Sequence, residues 1–83
     1  MTKRAIIVGA TSGIGLEVAK VLAAKGWQVG IAGRRENLLA QIAAEVPGVI
    51  ATERIDVTSE DATDALERLV AKMGGMDLYF HSS

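Results

Sequence analysis

The 83-residue chain contains no cysteine, a single proline, and one residue each of tryptophan, tyrosine and phenylalanine. Without cysteine there is no disulfide framework, no thiolate metal site and no cysteine nucleophile. Neither charge sign dominates: nine Lys and Arg face ten Asp and Glu, for a formal net charge of −1 at pH 7. Basic residues are neither in excess nor clustered, which argues against a nucleic-acid binder held by bulk charge. No apolar run approaches the roughly 18 residues that a bilayer span requires. Met1-Thr2-Lys3-Arg4-Ala5 is charged but leads into a short apolar run only, so it does not read as a secretory signal. No carboxylate pair or histidine cluster suggests a metal. At 49% hydrophobic and 23% charged residues, the chain is no disordered tail. The expectation is a soluble, cytoplasmic globular chain with neither membrane nor nucleic acid as partner.

Short apolar runs alternate with segments of helical period. Ala5-Ile6-Ile7-Val8 is a β-branched run suited to a strand buried on both faces. Ile14, Val18, Val21 and Leu22 then recur at helical spacing, which assigns Ile14 to the core, and Lys25-Gly26 ends that helix. Residues 28–33 read as a second strand. Leu38, Leu39, Ile42, Ala43 and Val46 stripe a second helix, stopped by Pro47-Gly48. Residues 49–56 read as a third strand, where Glu53 and Arg54 suggest a sheet edge. A third helix carries Ala62, Ala65, Leu66, Leu69, Val70 and Met73, with Thr58 as its expected N-cap and Gly74-Gly75 as its breaker. Residues 76–80 begin a fourth strand. Met73, Met76, Trp27 and Tyr79 are expected to pack in the core or at element ends.

This alternation predicts an α/β fold of three layers, with a parallel sheet in the strand order 3-2-1-4. That is one half of a doubly wound, Rossmann-like dinucleotide-binding domain. Parallel sheets need helices on both faces, and 83 residues supply few. Residues 1–83 are therefore expected to be the N-terminal part of such a domain within a longer chain.

The chemistry begins at Gly9-Ala10-Thr11-Ser12-Gly13-Ile14-Gly15, between the first strand and the first helix. Glycines there allow a sharp turn and bring backbone N–H groups against a phosphate at the positive end of the helix. Thr11 and Ser12 add hydroxyl donors. The spacing excludes a P-loop, because Leu16 stands where its lysine would be sought. A tight turn without a ligand is the plainer reading of the same glycines. The second signal is Gly33-Arg34-Arg35 after strand 2, where NAD binders normally carry an acid for the ribose hydroxyls. A guanidinium suits a 2′-phosphate instead, favouring NADP over NAD, and such a contact is worth about 1.5–3 kcal/mol. Each arginine also has a plain reading as a solvated cation.

With this glycine turn, Arg34 and then Asp56-Val57-Thr58 after strand 3, the chain resembles the short-chain dehydrogenase/reductase family over its whole length. The resemblance implies NADP as cofactor and a carbonyl/alcohol substrate in the full-length protein, and leaves a homo-oligomer open. It makes Gly9, Thr11, Ser12, Gly13, Ile14, Gly15, Arg34, Arg35, Asp56 and Val57 the cofactor-binding set. Asp56 would accept from the adenine amino group, assisted by the Val57 N–H; a plain turn-forming role for Asp56 is compatible with this. Two departures from the family pattern stand out: Ser12 replaces a basic residue common in NADP-preferring members, and His81-Ser82-Ser83 replaces the usual Asn-Asn-Ala-Gly. The family's catalytic Ser and Tyr-x-x-x-Lys have no counterpart here, since Tyr79 is followed by no lysine. No catalytic residue is assigned. An alternative is a nucleotide-sensing or scaffolding protein of the same fold without turnover.

Overall fold

The computed structural model describes residues 3–10, 13–56, 58 and 60–81. Its elements run β1 (Arg4–Val8), α1 (Gly13–Ala24), β2 (Gln28–Gly33), α2 (Glu36–Glu45), β3 (Val49–Arg54), α3 (Ala62–Met73) and β4 (Leu78–His81). The strands pair in parallel in the order β3-β2-β1-β4, as the alternation predicts.

The sheet divides its side chains by the period of two. On one face Ala5, Ile7, Val29 and Ile31 pack with Ala19 of α1 and with Leu39 and Ile42 of α2. On the other, Ile6, Val8, Ala32 and Ile55 pack with Ala65, Leu69 and Met73 of α3. The three layers leave Ala5, Ile6 and Ile7 of β1 with no exposed surface, which explains why that run is apolar at every position.

Glycines close the helices where expected. Gly26 takes φ 90° and the Trp27 N–H reaches back to the Leu22 carbonyl at 3.1 Å. Gly74 takes φ 77° at the end of α3, and the Gly75 N–H donates to Val70 at 3.2 Å. The charged strand is indeed the edge: Glu53 of β3 accepts from Arg68 Nε at 3.0 Å and from Lys72 Nζ at 2.6 Å. Lys72 also donates to the Thr52 carbonyl at 3.0 Å, bracing α3 against the outer strand.

Five expectations need correction. Strand β3 ends at Arg54 rather than Asp56, and β4 starts at Leu78 rather than Met76. Asp61, not Thr58, precedes α3, because Thr58 is engaged by Asp56. Ile14 is 69% exposed and Val21 51%, not core. The side of α1 that meets the sheet carries Gly15 and Ala19, since close approach selects small residues; at about 100° per residue this turns Ile14 and Val21 away from the sheet. Tyr79 and Met76 are also exposed, because among the described residues β4 lies at the other edge of the sheet, beside β1. Tyr79 meets the His81 ring edge-on instead, with centroids 6.4 Å apart.

Candidate functional site

The strand order reverses at β1: β2 follows on one side and β4 on the other. The carboxyl ends of β1 and β4 therefore border the crevice where open α/β sheets take their ligands. The chain leaves β1 through Gly9, whose φ of 85° favours glycine. The N–H groups of Gly9 and Ala10 both donate to the Ala32 carbonyl of β2, at 2.8 and 3.2 Å, which anchors the turn to the neighbouring strand. Ala10 is fully buried.

Gly15 explains the closeness of the return. A β-carbon there would sit 3.1 Å from the Ala10 Cα, so α1 begins directly against the turn. Gly13, at the first position of α1, is exposed and has no atom within 4 Å of where a β-carbon would stand. One glycine packs helix to turn, and the other keeps the mouth of the helix open. Such a cradle fits a pyrophosphate approaching the backbone. Thr11, Ser12 and Val57, and with them Ser82, lie outside the described residues. Beside the mouth, Gly13, Ile14, Leu16, Glu17, Val18 and Val21 line an open groove of about 620 Å³. Its walls are mostly apolar and offer a phosphate no basic side chain.

Arg34 leaves the end of β2, and Arg35 occupies the N-cap of α2 in extended conformation without a side-chain cap bond. Arginine is a poor residue there, because a cation faces the positive end of the helix and offers no acceptor. Glu36 in the first turn offsets this. Across the strand ends, Asp56 Oδ1 accepts from the Thr58 N–H at 3.0 Å and from its hydroxyl at 2.7 Å. The Thr58 hydroxyl bond and then its N–H bond hold the Asp56 carboxyl below the usual aspartate value, with a smaller push from the Arg34 and Arg54 cations. Both bonds end on Oδ1, so among the described residues the second carboxylate oxygen is left for an outside donor. The structure thus brings Gly9, Gly13 and Gly15 to one turn, and Arg34, Arg35 and Asp56 to the adjoining strand ends. Ile14 sits on the rim. Sequence reasoning read Arg54 as an edge charge alone, and it missed that Asp-x-Thr makes Thr58 the partner of Asp56, for which the spacing is a signal. Among the described residues no three His, Cys, Asp or Glu side chains gather for a metal, and no helix is long and apolar enough to cross a membrane.

A parallel sheet that reverses order beside a glycine turn defines the dinucleotide-binding class of α/β folds. Within that class, the short chain dehydrogenase family matches residues 3–82, and the chain belongs to it. An uncharacterised oxidoreductase of Staphylococcus saprophyticus is 36% identical over 86 residues, spanning 98% of this chain and 37% of that protein. Among solved structures, a variant of actinorhodin polyketide ketoreductase with NADPH gives a TM-score of 0.86 at 31% identity, over 99% of this chain and 33% of that one. A 3-ketoacyl-(acyl-carrier-protein) reductase from Brucella melitensis complexed with NADH gives 0.82 at 32% identity, over 93% and 32%. The chain spans about a third of the length of these proteins.

Proposed function

We propose that residues 1–83 form the NADP(H)-binding portion of a cytoplasmic short-chain oxidoreductase that interconverts a carbonyl and an alcohol, with its catalytic Ser, Tyr and Lys outside these residues. The supporting observation is the turn from Gly9 to Gly15, where Gly13 leaves the first turn of α1 open and Gly15 lets the helix start directly against Gly9. Gly9, Gly13, Ile14 and Gly15, with Thr11 and Ser12, hold the pyrophosphate through main-chain N–H groups and hydroxyls. Asp56 receives the adenine amino group on its second carboxylate oxygen, and the Val57 N–H is assigned the assisting contact. Arg34, with Arg35 beside it, meets the 2′-phosphate by charge-assisted bonding. When bound, the nicotinamide supplies or accepts the hydride. The related structures hold NADPH in one case and NADH in another, so the preference for NADP rests on the arginines.

The test is titration of the protein with NADPH and NADH by fluorescence or calorimetry. Tighter NADPH binding, with the preference reduced on Arg34→Ala, is the expected result. Equal affinities, or a preference that survives the substitution, removes the case for NADP. A carbonyl-dependent oxidation of NADPH by the full-length protein separates an enzyme from a non-catalytic sensor.

A further inference from the structure

The end of β3 carries a third guanidinium that the reading above leaves unused. In the parallel pairing of β2 with β3, Gly33 is in register with Arg54, and the Ile55 N–H donates to the Gly33 carbonyl at 2.9 Å. Neighbouring strands lie about 4.8 Å apart, so Arg54 stands one strand spacing from the residue that leads into Arg34. Residues in register share a face of the sheet. Val29 and Ile31 point to the α1 and α2 side, and so therefore do the position of Gly33 and Arg54. Arg54 lines, with Glu36 and Leu39 of α2 and with Glu53 and Lys72 on the α3 side, a depression of about 470 Å³ that wraps the outer edge of β3.

Three of the chain's five arginines thus gather at one corner. Among the described residues neither Arg34 nor Arg54 is in an ion pair, although Glu36 and Glu53 line the depression with Arg54. Both cations help to lower the Asp56 carboxyl, so each lies within electrostatic range of it. Arg34, Arg35 and Arg54 are all exposed, and like charges at neighbouring strand ends favour an anion between them.

We propose that Arg54 is a second cation of the 2′-phosphate subsite, approaching from the end of β3 while Arg34 approaches from the end of β2. The proposal rests on the assignment of Arg34 above. It makes the choice between the two cofactors a property of two strand ends rather than of one loop.

The test is calorimetric titration of the whole protein with NADPH, NADH, adenosine 2′,5′-bisphosphate and adenosine 5′-monophosphate. The variants are Arg34→Ala, Arg54→Ala and Arg54→Lys. Arg54→Ala should weaken NADPH and the bisphosphate about 10-fold while the affinities for NADH and the monophosphate are kept. Arg54→Lys should recover part of the loss, since it restores charge without the planar fork. Equal losses for ligands with and without the 2′-phosphate would mean that Arg54 acts through Asp56, and would overturn the proposal. So would an unchanged NADPH affinity. If Arg34→Ala lowers the preference and Arg54→Ala does not, the reading of Arg34 stands and this one falls. A parent protein that binds both cofactors equally overturns both.

Discussion

A β-carbon on Gly15 would stand 2.5 Å from the carbonyl oxygen of Gly9. The obstacle is main chain, so no rotamer change relieves it, and α1 would have to move off the turn. Gly15→Ala should therefore cost about 1–3 kcal/mol in a urea melt and also abolish dinucleotide binding, because the helix mouth shifts with the helix. Gly13→Ala meets open space and is the control: stability should hold while binding falls. Equal binding by the Gly15 variant and the parent would show that the close approach has no part in holding the ligand.

The order of the elements was legible because each rests on a local rule: β-branched runs for β1 and β2, apolar stripes for α2 and α3, and glycine stops at Gly26 and Gly74. The charged β3 announced its edge through Glu53. The orientation of α1 was not legible. Ile14 and Val21 look like a core stripe, but the small residues Gly15 and Ala19 face the sheet, and only the contact with Gly9 decides between these faces. Arg54 was overlooked as a site residue for a related reason: its importance lies in its register with Gly33, a pairing between residues distant in sequence.

Thr58→Val tests the cradle of Asp56. It removes the 2.7 Å hydroxyl bond and keeps the side-chain shape. The lowered carboxyl owes most to that bond, so its titration midpoint should rise toward the usual aspartate value in an NMR pH series. A depressed folded-state value stabilises the fold above the unfolded value, and this contribution is lost as pH falls through the folded one. The variant should accordingly gain less stability than the parent as pH rises through the carboxylate range. An unmoved midpoint would assign the shift to the backbone or the nearby arginines.

Glu53 carries a second pH dependence, at the opposite side of β3. Its carboxyl is held below the usual glutamate value first by the Lys72 hydrogen bond, then, after an opposing contribution from burial, by Arg68. The stabilisation is present above the unfolded glutamate value and fades as pH falls through the lower folded one. Both cations are half exposed, so solvent screening limits the pair energies. Glu53→Gln should cost about 0.5–1 kcal/mol at pH 7 and little at pH 3, read from urea midpoints at the two values. A constant cost across that range would point to lost packing rather than charge.

Gly30 sets how closely α3 rides on the sheet. A β-carbon there would meet Met73 Sδ at 2.8 Å and Leu69 Cδ1 at 3.2 Å. The obstruction is side chain, and the thioether of Met73 is flexible, so Gly30→Ala should be milder than Gly15→Ala, at about 1–2 kcal/mol. Met73→Ala alone opens a cavity under α3 and should cost about 2–5 kcal/mol. Combined, the new methyl fills part of the space that the methionine vacates, and the double variant should lose less than the sum of the two. Strict additivity in urea melts would mean that the two positions do not compete for the same volume, and that α3 is held at its height by Leu69 instead.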